Sequence, residues 1–219
     1  MRISKRRTSL ADPSFLIYHY LWQNLDAACS QARQSTADTR ATLLDIGCGR
    51  KPYADLFPGW RHIGINSSAD DAAPDIIGDA MRLPLTPCVA DVVLCTQVLE
   101  HVPRPWELVA ECCRVMKPGG YLVLTAPFYW PLHEEPHDFF RYTKYGLQSL
   151  VQEAGLEVVS LKADGGDGAR MAISMLHYLP WRLAALLRIP LNLLGLLLDK
   201  IRLTERKPQN YTLLARKPS

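Results

Sequence analysis

Apolar positions recur at two different spacings along this chain, and the alternation between them predicts the architecture. From about Pro13 to Gln34, Phe15, Leu16, Tyr18, Leu21, Trp22, Leu25 and Ala28 fall at helical spacing, which predicts an amphipathic helix packed on the body of the protein. Short apolar runs follow, each closed by a turn or a helix. The predicted strands are Ala41–Ile46, Trp60–Ile65, Asp75–Ile77, Asp91–Thr96, Tyr121–Ala126, Leu156–Leu161 and Tyr211–Ala215. Asp91–Thr96 is almost continuously apolar, as a strand covered on both faces must be. Between the strands, Trp106–Met116 is helical and stops at the turn signal Lys117-Pro-Gly-Gly120. Thr143–Ala154 is the next helix, with Thr143 as its N-cap and Gly155 as its C-terminal glycine.

Strands that alternate with helices imply an α/β fold with a mostly parallel sheet and right-handed crossovers. One region breaks the alternation. Between the last two strands, about 164–210, the chain opens with Gly165-Gly-Asp-Gly168 and continues through a very apolar stretch to Leu198. Pro180, Arg182, Arg188, Pro190 and Asn192 interrupt that stretch, so it is expected to form two helices and not a membrane span. The expected organisation is a basic tail and packing helix over 1–40, then a single domain over 41–219 that carries this helical insertion.

Composition changes this picture little. At 219 residues, 48% hydrophobic and 21% charged, the chain has the make-up of one globular domain with room for one insertion. A formal charge of +3 does not imply nucleic-acid binding. None of the six cysteines lies in a C-x-x-C pair, so neither a zinc site nor a redox motif is signalled, and reduced thiols in a cytoplasmic protein are expected. The basic start, Met1–Arg7, is not followed by a continuous apolar core, which argues against a secretory signal.

The chemistry concentrates at strand ends. In Leu43-Leu-Asp-Ile-Gly-Cys-Gly49 a strand runs into a glycine turn, where backbone can approach a ligand that side chains would exclude. A dinucleotide fingerprint needs a third glycine where this chain has Pro52, so the pyrophosphate reading weakens. Asp45-Ile-Gly-Cys-Gly49 resembles instead the first motif of class I S-adenosylmethionine-dependent methyltransferases. Gly64-Ile-Asn-Ser-Ser68 resembles their second-strand end, Gly78-Asp-Ala-Met-Arg-Leu-Pro-Leu85 their adenine-side motif, and Thr96-Gln-Val-Leu-Glu-His-Val102 the exit of their fourth strand. Lys117-Pro-Gly-Gly120 matches the turn before their fifth. The resemblance spans about residues 41–160, with its motifs in order.

That resemblance implies a Rossmann-like, seven-stranded, mostly parallel sheet with helices on both faces and an antiparallel last strand. It implies S-adenosylmethionine as cofactor, held by Asp45, Gly47, Cys48, Gly49, Asn66, Ser67, Asp79, Ala80, Thr96 and Gln97. One position departs from the pattern: the acid that usually takes both ribose hydroxyls is Asn66, which can hydrogen-bond but lacks the charge. A catalytically weak cofactor-binding homologue acting as a scaffold is therefore the alternative to an active enzyme.

The segment after the fifth strand, Pro127 to Thr143, is expected to form the acceptor site. His133-Glu-Glu-Pro-His137 satisfies H-E-x-x-H by letters, but Pro136 opposes the helix that would put both histidines on one face, so no metal is expected. His133, His137 and Asp138, together with His101 beyond the fourth strand, are candidate catalytic groups. Tyr129, Arg141 and Tyr142 are candidate acceptor contacts. Asp138–Leu147 with Glu153–Leu156 resembles a methyltransferase subgroup associated with cell-surface polysaccharide biosynthesis, which implies a small-molecule or glycan-linked acceptor methylated on oxygen, with nitrogen second. The insertion is expected either to roof that site as a lid or, through its apolar helices and the basic tail Lys200, Arg202, Arg206 and Lys207, to rest peripherally on the inner face of a membrane.

Overall fold

The computed structural model of the protein describes residues 9–36, 40–69, 74–201 and 206–219. The basic start of the chain, and Arg202 in the basic tail, lie outside the described residues. Seven strands form one sheet: β1 (Thr42–Ile46), β2 (Arg61–Asn66), β3 (Ile76–Ile77), β4 (Ala90–Thr96), β5 (Met116–Pro127), β6 (Glu157–Asp164) and β7 (Asn210–Arg216). Their order is β3-β2-β1-β4-β5-β7-β6. The first five run parallel, and β7 is antiparallel to both its neighbours. Because the parallel strands share a direction, Ile46, Asn66, Ile77, Thr96 and Pro127 all end on one edge of the sheet.

Both faces of the central strands are apolar, and their alternation assigns each side chain to a layer. Leu43, Val92, Leu94, Val123 and Leu214 face α1 (Phe15–Gln34), where Trp22, Leu25, Ala28 and Cys29 meet them. Leu44, Val93, Cys95, Leu122 and Leu213 face α2 (Pro105–Val115) and α3 (Lys144–Glu153), meeting Leu108, Val109, Leu147 and Val151. Each leucine buried in full stabilises the fold by roughly 1.5–3 kcal/mol relative to exposure. The Thr143 hydroxyl accepts from Gly146 N, as an N-cap should, and Gly155 sits at φ +80 just past the end of α3.

Two boundaries differ from expectation. Lys117-Pro-Gly-Gly120 does not separate a helix from a strand but lies inside β5. Pairing there jumps from Ala90↔Met116 to Val92↔Tyr121, so the turn residues bulge out of the ladder. β6 extends to Asp164, which pairs with Asn210 of β7, so both ends of the expected insertion belong to the sheet.

The insertion itself is a pair of helices, α4 (Asp167–Tyr178) and α5 (Trp181–Ile201). Pro180 separates them, but Pro190 lies within α5 and does not end it. They cross closely because both carry glycine at the contact: a Cβ on Gly168 would sit 2.7 Å from Gly195 O. Buried Asp199 of α5 accepts from the backbone N–H groups of Gly166, Gly168 and Ala169, satisfying the free donors at the start of α4. α5 is 21 residues long; its most apolar stretch has mean hydropathy 1.5, and only 17% of that stretch is buried. Its length and composition suffice to cross a membrane, contrary to the expectation from its polar interruptions.

Candidate active site

A cavity of about 340 Å³ opens at the sheet edge where β1, β2 and β4 end. Gly47, Asn66, Ser67, Asp79, Ala80 and His101 line it, together with Ile65, Met81, Val98 and Val102. The glycine turn has two separate requirements. Gly47 is at φ +65, and a Cβ there would lie 2.2 Å from Val98 Cγ2; Gly49 is at φ +48 with open space around it. The Asn66 side-chain oxygen accepts from Gly49 N at 3.2 Å, tying the end of β2 to the turn and leaving the amide nitrogen to donate outward. Asp79 Oδ1 accepts from Met81 N at 2.9 Å.

The other expected cofactor residues stand behind this wall. Asp45 is buried, with one oxygen 3.0 Å from His62 Nε2 and the other without a hydrogen-bond partner. Burial raises its carboxyl above the usual range, and His62 opposes that shift. Cys48 packs under Gly64, where a Cβ would meet its sulfur at 2.6 Å. Thr96 is buried at the end of β4. Gln97, at φ 54, donates to Thr125 Oγ1 and Asn210 Oδ1 and so pins β4 to β5 and β7.

The segment after β5 folds across the far end of the cavity, and most of its expected site residues hold the loop itself. Asp138 and Arg141 form a two-pronged ion pair, with both contacts at 2.6 Å. Arg141 also donates to the carbonyls of Trp130, Pro131 and Phe140. That pairing holds the Asp138 carboxyl well below the usual carboxylate range. Arg141 is thus committed inside the loop and does not offer a free guanidinium to an acceptor. Tyr142 is a correction too: it lies in the core, and its hydroxyl donates to Leu99 O, so it does not form an acceptor wall. Tyr129 is half-exposed beneath the Arg170 guanidinium of α4, and Trp130 packs edge-on to His177, so α4 covers this loop.

The histidines divide. His137 contributes its backbone carbonyl, 2.7 Å from His101 Nδ1, while its ring lies against Phe139. His101 and His133 meet edge to face with ring centroids 4.7 Å apart. Beneath them is Glu100, which is fully buried with neither carboxylate oxygen hydrogen-bonded. Burial pushes its carboxyl up to about 7. Sequence reasoning missed Glu100, because a glutamate between Leu99 and His101 carries no sign of its depth. Val98 and Met81 were missed because apolar cavity walls look like core.

The family comparisons agree with this geometry. Residues 44–124 match the model of the family described as a methyltransferase domain. An uncharacterized methyltransferase of Mycobacterium bovis (strain BCG / Pasteur 1173P2) is 38% identical over 107 residues, covering 43% of this chain and 42% of that protein. The chain thus covers less than half the length of the curated relatives it matches. Among solved structures, a putative methyltransferase from Bacillus halodurans C-125 superposes with a TM-score of 0.59 at 18% identity, covering 88% of this chain and 100% of that one. Phosphoethanolamine N-methyltransferase 2 of Haemonchus contortus, in complex with S-adenosylmethionine, superposes with a TM-score of 0.57 at 17% identity, covering 90% and 52%.

Residues 44–124 thus carry a methyltransferase domain, on a fold shared with S-adenosylmethionine-binding methyltransferases.

The methyltransferase cavity suits the family's cofactor on the structure's own terms. The glycine turn provides a wall without side chains, and Asn66 Nδ2 and Ser67 offer polar contacts from β2. Asp79 and Ala80 stand opposite beside apolar Met81 and Val102. Behind the glycine turn, the unpartnered Asp45 oxygen is a buried polar atom left for a donor to satisfy.

Proposed function

We propose that this methyltransferase domain moves a methyl group to an oxygen of a small-molecule or glycan-linked acceptor, with nitrogen as the second choice. The observation that carries the reading is the position of His101, whose side chain borders the cofactor cavity and also packs on His133 of the acceptor loop. S-adenosylmethionine bound in the cavity supplies a methyl group activated on a sulfonium. The chain's own residues hold the acceptor in line with it, and alignment alone can supply a large share of the acceleration. The hydroxyl proton leaves towards the Glu100–His101–His133 cluster at the mouth of the loop. α4 shields the site from water through Arg170 and His177.

The same insertion supports a peripheral location at the inner face of a membrane. While α4 faces the loop, α5 turns Leu183, Leu186, Ile189, Leu193, Leu197 and Ile201 outward, with Trp181 and Arg182 at one end and Lys200 at the other. An apolar stripe with an aromatic group and cations at its ends suits an anionic bilayer surface. Buried Asp199 and Asn192 hold the opposite face of α5 to the body of the protein, which favours a helix lying in the interface over one that spans. A lipid-linked glycan would meet both features at once.

Calorimetric titration with S-adenosylmethionine and S-adenosylhomocysteine, repeated on Gly47→Arg, tests the cofactor site. A panel of sugar and lipid-linked acceptors then tests transfer. Binding without product across that panel would favour the scaffold alternative. Flotation with phosphatidylglycerol vesicles should recover the wild-type chain and lose Leu186→Glu/Leu197→Glu; absence of wild-type binding would sink the membrane reading.

A further inference from the structure

We propose that Glu100, His101 and His133 hold a divalent transition-metal ion, zinc foremost, at the acceptor end of the cavity. One donor atom from each of the three lies within 4.8 Å of the others. Tetrahedral zinc with bonds of about 2.0–2.1 Å needs donors roughly 3.4 Å apart. Closing that gap takes small side-chain adjustments of the three residues towards one another.

The orientation of the rings is the stronger argument. A metal-binding histidine donates its second ring N–H to a carbonyl or carboxylate, which leaves the other nitrogen bare for the metal. His101 Nδ1 lies 2.7 Å from the carbonyl of His137. His133 Nδ1 lies 3.3 Å from the carbonyl of Pro131 and 3.2 Å from Asp138 Oδ2. His101 therefore presents Nε2, while His133 Nδ1 also lies 3.4 Å from the Arg141 guanidinium that fixes the Asp138 carboxylate beside it.

Charge points the same way. Glu100 is fully buried with both oxygens unpartnered, an expensive arrangement unless something cationic arrives. Glu134 Oε2 lies 3.8 Å from His101 Nε2, the same distance as Glu100 Oε1. Among the described residues, the ion pairs of both glutamates run to His101 alone, whereas Asp138 is neutralised by Arg141. Two carboxylates thus flank the paired imidazoles with no lysine or arginine of the described residues ion-paired to either, an arrangement that a divalent ion would balance. Two imidazoles with a carboxylate suit zinc or a neighbouring transition ion better than magnesium or calcium.

The ion's use in methyl transfer rests on the function proposed above; its binding does not. At this position it would lower the pKa of an acceptor hydroxyl beside the cavity; with Glu100, His101 and His133 taken up as ligands, the released proton would pass not to them but to the exposed Glu134 carboxylate and to water. The set is also distinct from the H-E-x-x-H letters, which pair His133 with His137. Here the His137 ring is turned away onto Phe139, and only its carbonyl takes part.

The test is titration of the chelator-stripped full chain with Zn²⁺ alone, followed by calorimetry and, with Co²⁺ in its place, visible absorption. One zinc per chain is expected, with the intense d–d bands of a four-coordinate cobalt site. Glu100→Gln, His101→Ala and His133→Ala should each lose about 100-fold or more in zinc affinity, and His137→Gln should stay within about three-fold, because it removes no ligand. S-adenosylhomocysteine affinity, measured on every variant, reports separately on the cofactor site and on folding. No uptake by the wild-type chain would overturn the proposal. So would uptake that survives all three substitutions, or a loss in His137→Gln equal to that in His133→Ala. The cobalt spectrum needs no variant and decides the matter if a substituted chain fails to fold.

Discussion

Gly47→Ala offers the sharpest test of how the cofactor turn is built, because the structure assigns it two separate costs. The first is conformational: Gly47 sits at φ +65, and placing a side chain in the left-handed region costs about 1–2 kcal/mol. The second is steric. The new Cβ would lie 2.2 Å from Val98 Cγ2, far inside van der Waals contact, and Val98 is β-branched and stiff. Overpacking of this kind costs about 1–3 kcal/mol. Together the substitution should destabilise the fold by about 3 kcal/mol and weaken S-adenosylhomocysteine binding, since both glycine and valine border the cavity. Only the steric part depends on Val98. In Val98→Ala the clashing methyls are gone, so adding Gly47→Ala there should cost about 1–2 kcal/mol, the conformational part alone. Equilibrium urea unfolding of the four proteins gives the coupling directly. A coupling of at least about 1 kcal/mol is expected, and additivity within about 0.5 kcal/mol would refute the steric argument.

Two other outcomes follow from the polar groups. Asn66→Asp keeps the acceptor for Gly49 N and adds a charged acceptor for ribose hydroxyls, so S-adenosylhomocysteine should bind about 5- to 10-fold tighter by calorimetry, the difference between a neutral and a charge-assisted hydrogen bond; unchanged or weaker binding would refute it. Asp164 is fully buried beneath Asn24, Asn210 and Thr212, and burial raises its carboxyl to about 6. Its folded pKa lies above the unfolded value of about 3.9, so the folded state holds this proton more tightly, and stability from this group is lost as pH rises from about 4 through 6. The unfolding free energy of the wild type relative to Asp164→Asn should therefore fall across that window, by on the order of 3 kcal/mol, and level off above pH 7. A difference that stays flat with pH would show that Asp164 does not titrate this way.

Much of the sheet was legible before any tertiary structure. Strands buried on both faces must be apolar at every position, which made β4 visible, and Gly47-Cys-Gly49 located the cofactor edge because the left-handed turns there require glycine. Local chemistry also placed the cap at Thr143 and the glycine at Gly155, since both act on backbone within a turn of themselves. The inserted helices were expected as a pair, but not the continuity of α5. A proline costs a helix one hydrogen bond, and neighbours in packing decide whether the helix ends there.

What the sequence alone determined, then, is whatever depends on a residue and its near neighbours: element type, turn positions and the motif-bearing edge. The tertiary structure decided which side chains are free to act. Arg141 and Asp138 are attractive ligands in isolation, but folding turns them on each other and on three carbonyls, so their charge holds the loop. Glu100 and His101 are neighbours in sequence, yet the fold buries one and turns the other to the cavity, then brings His133 across from a loop 32 positions later. Burial and long-range proximity are properties of the packed chain, and no local pattern encodes them.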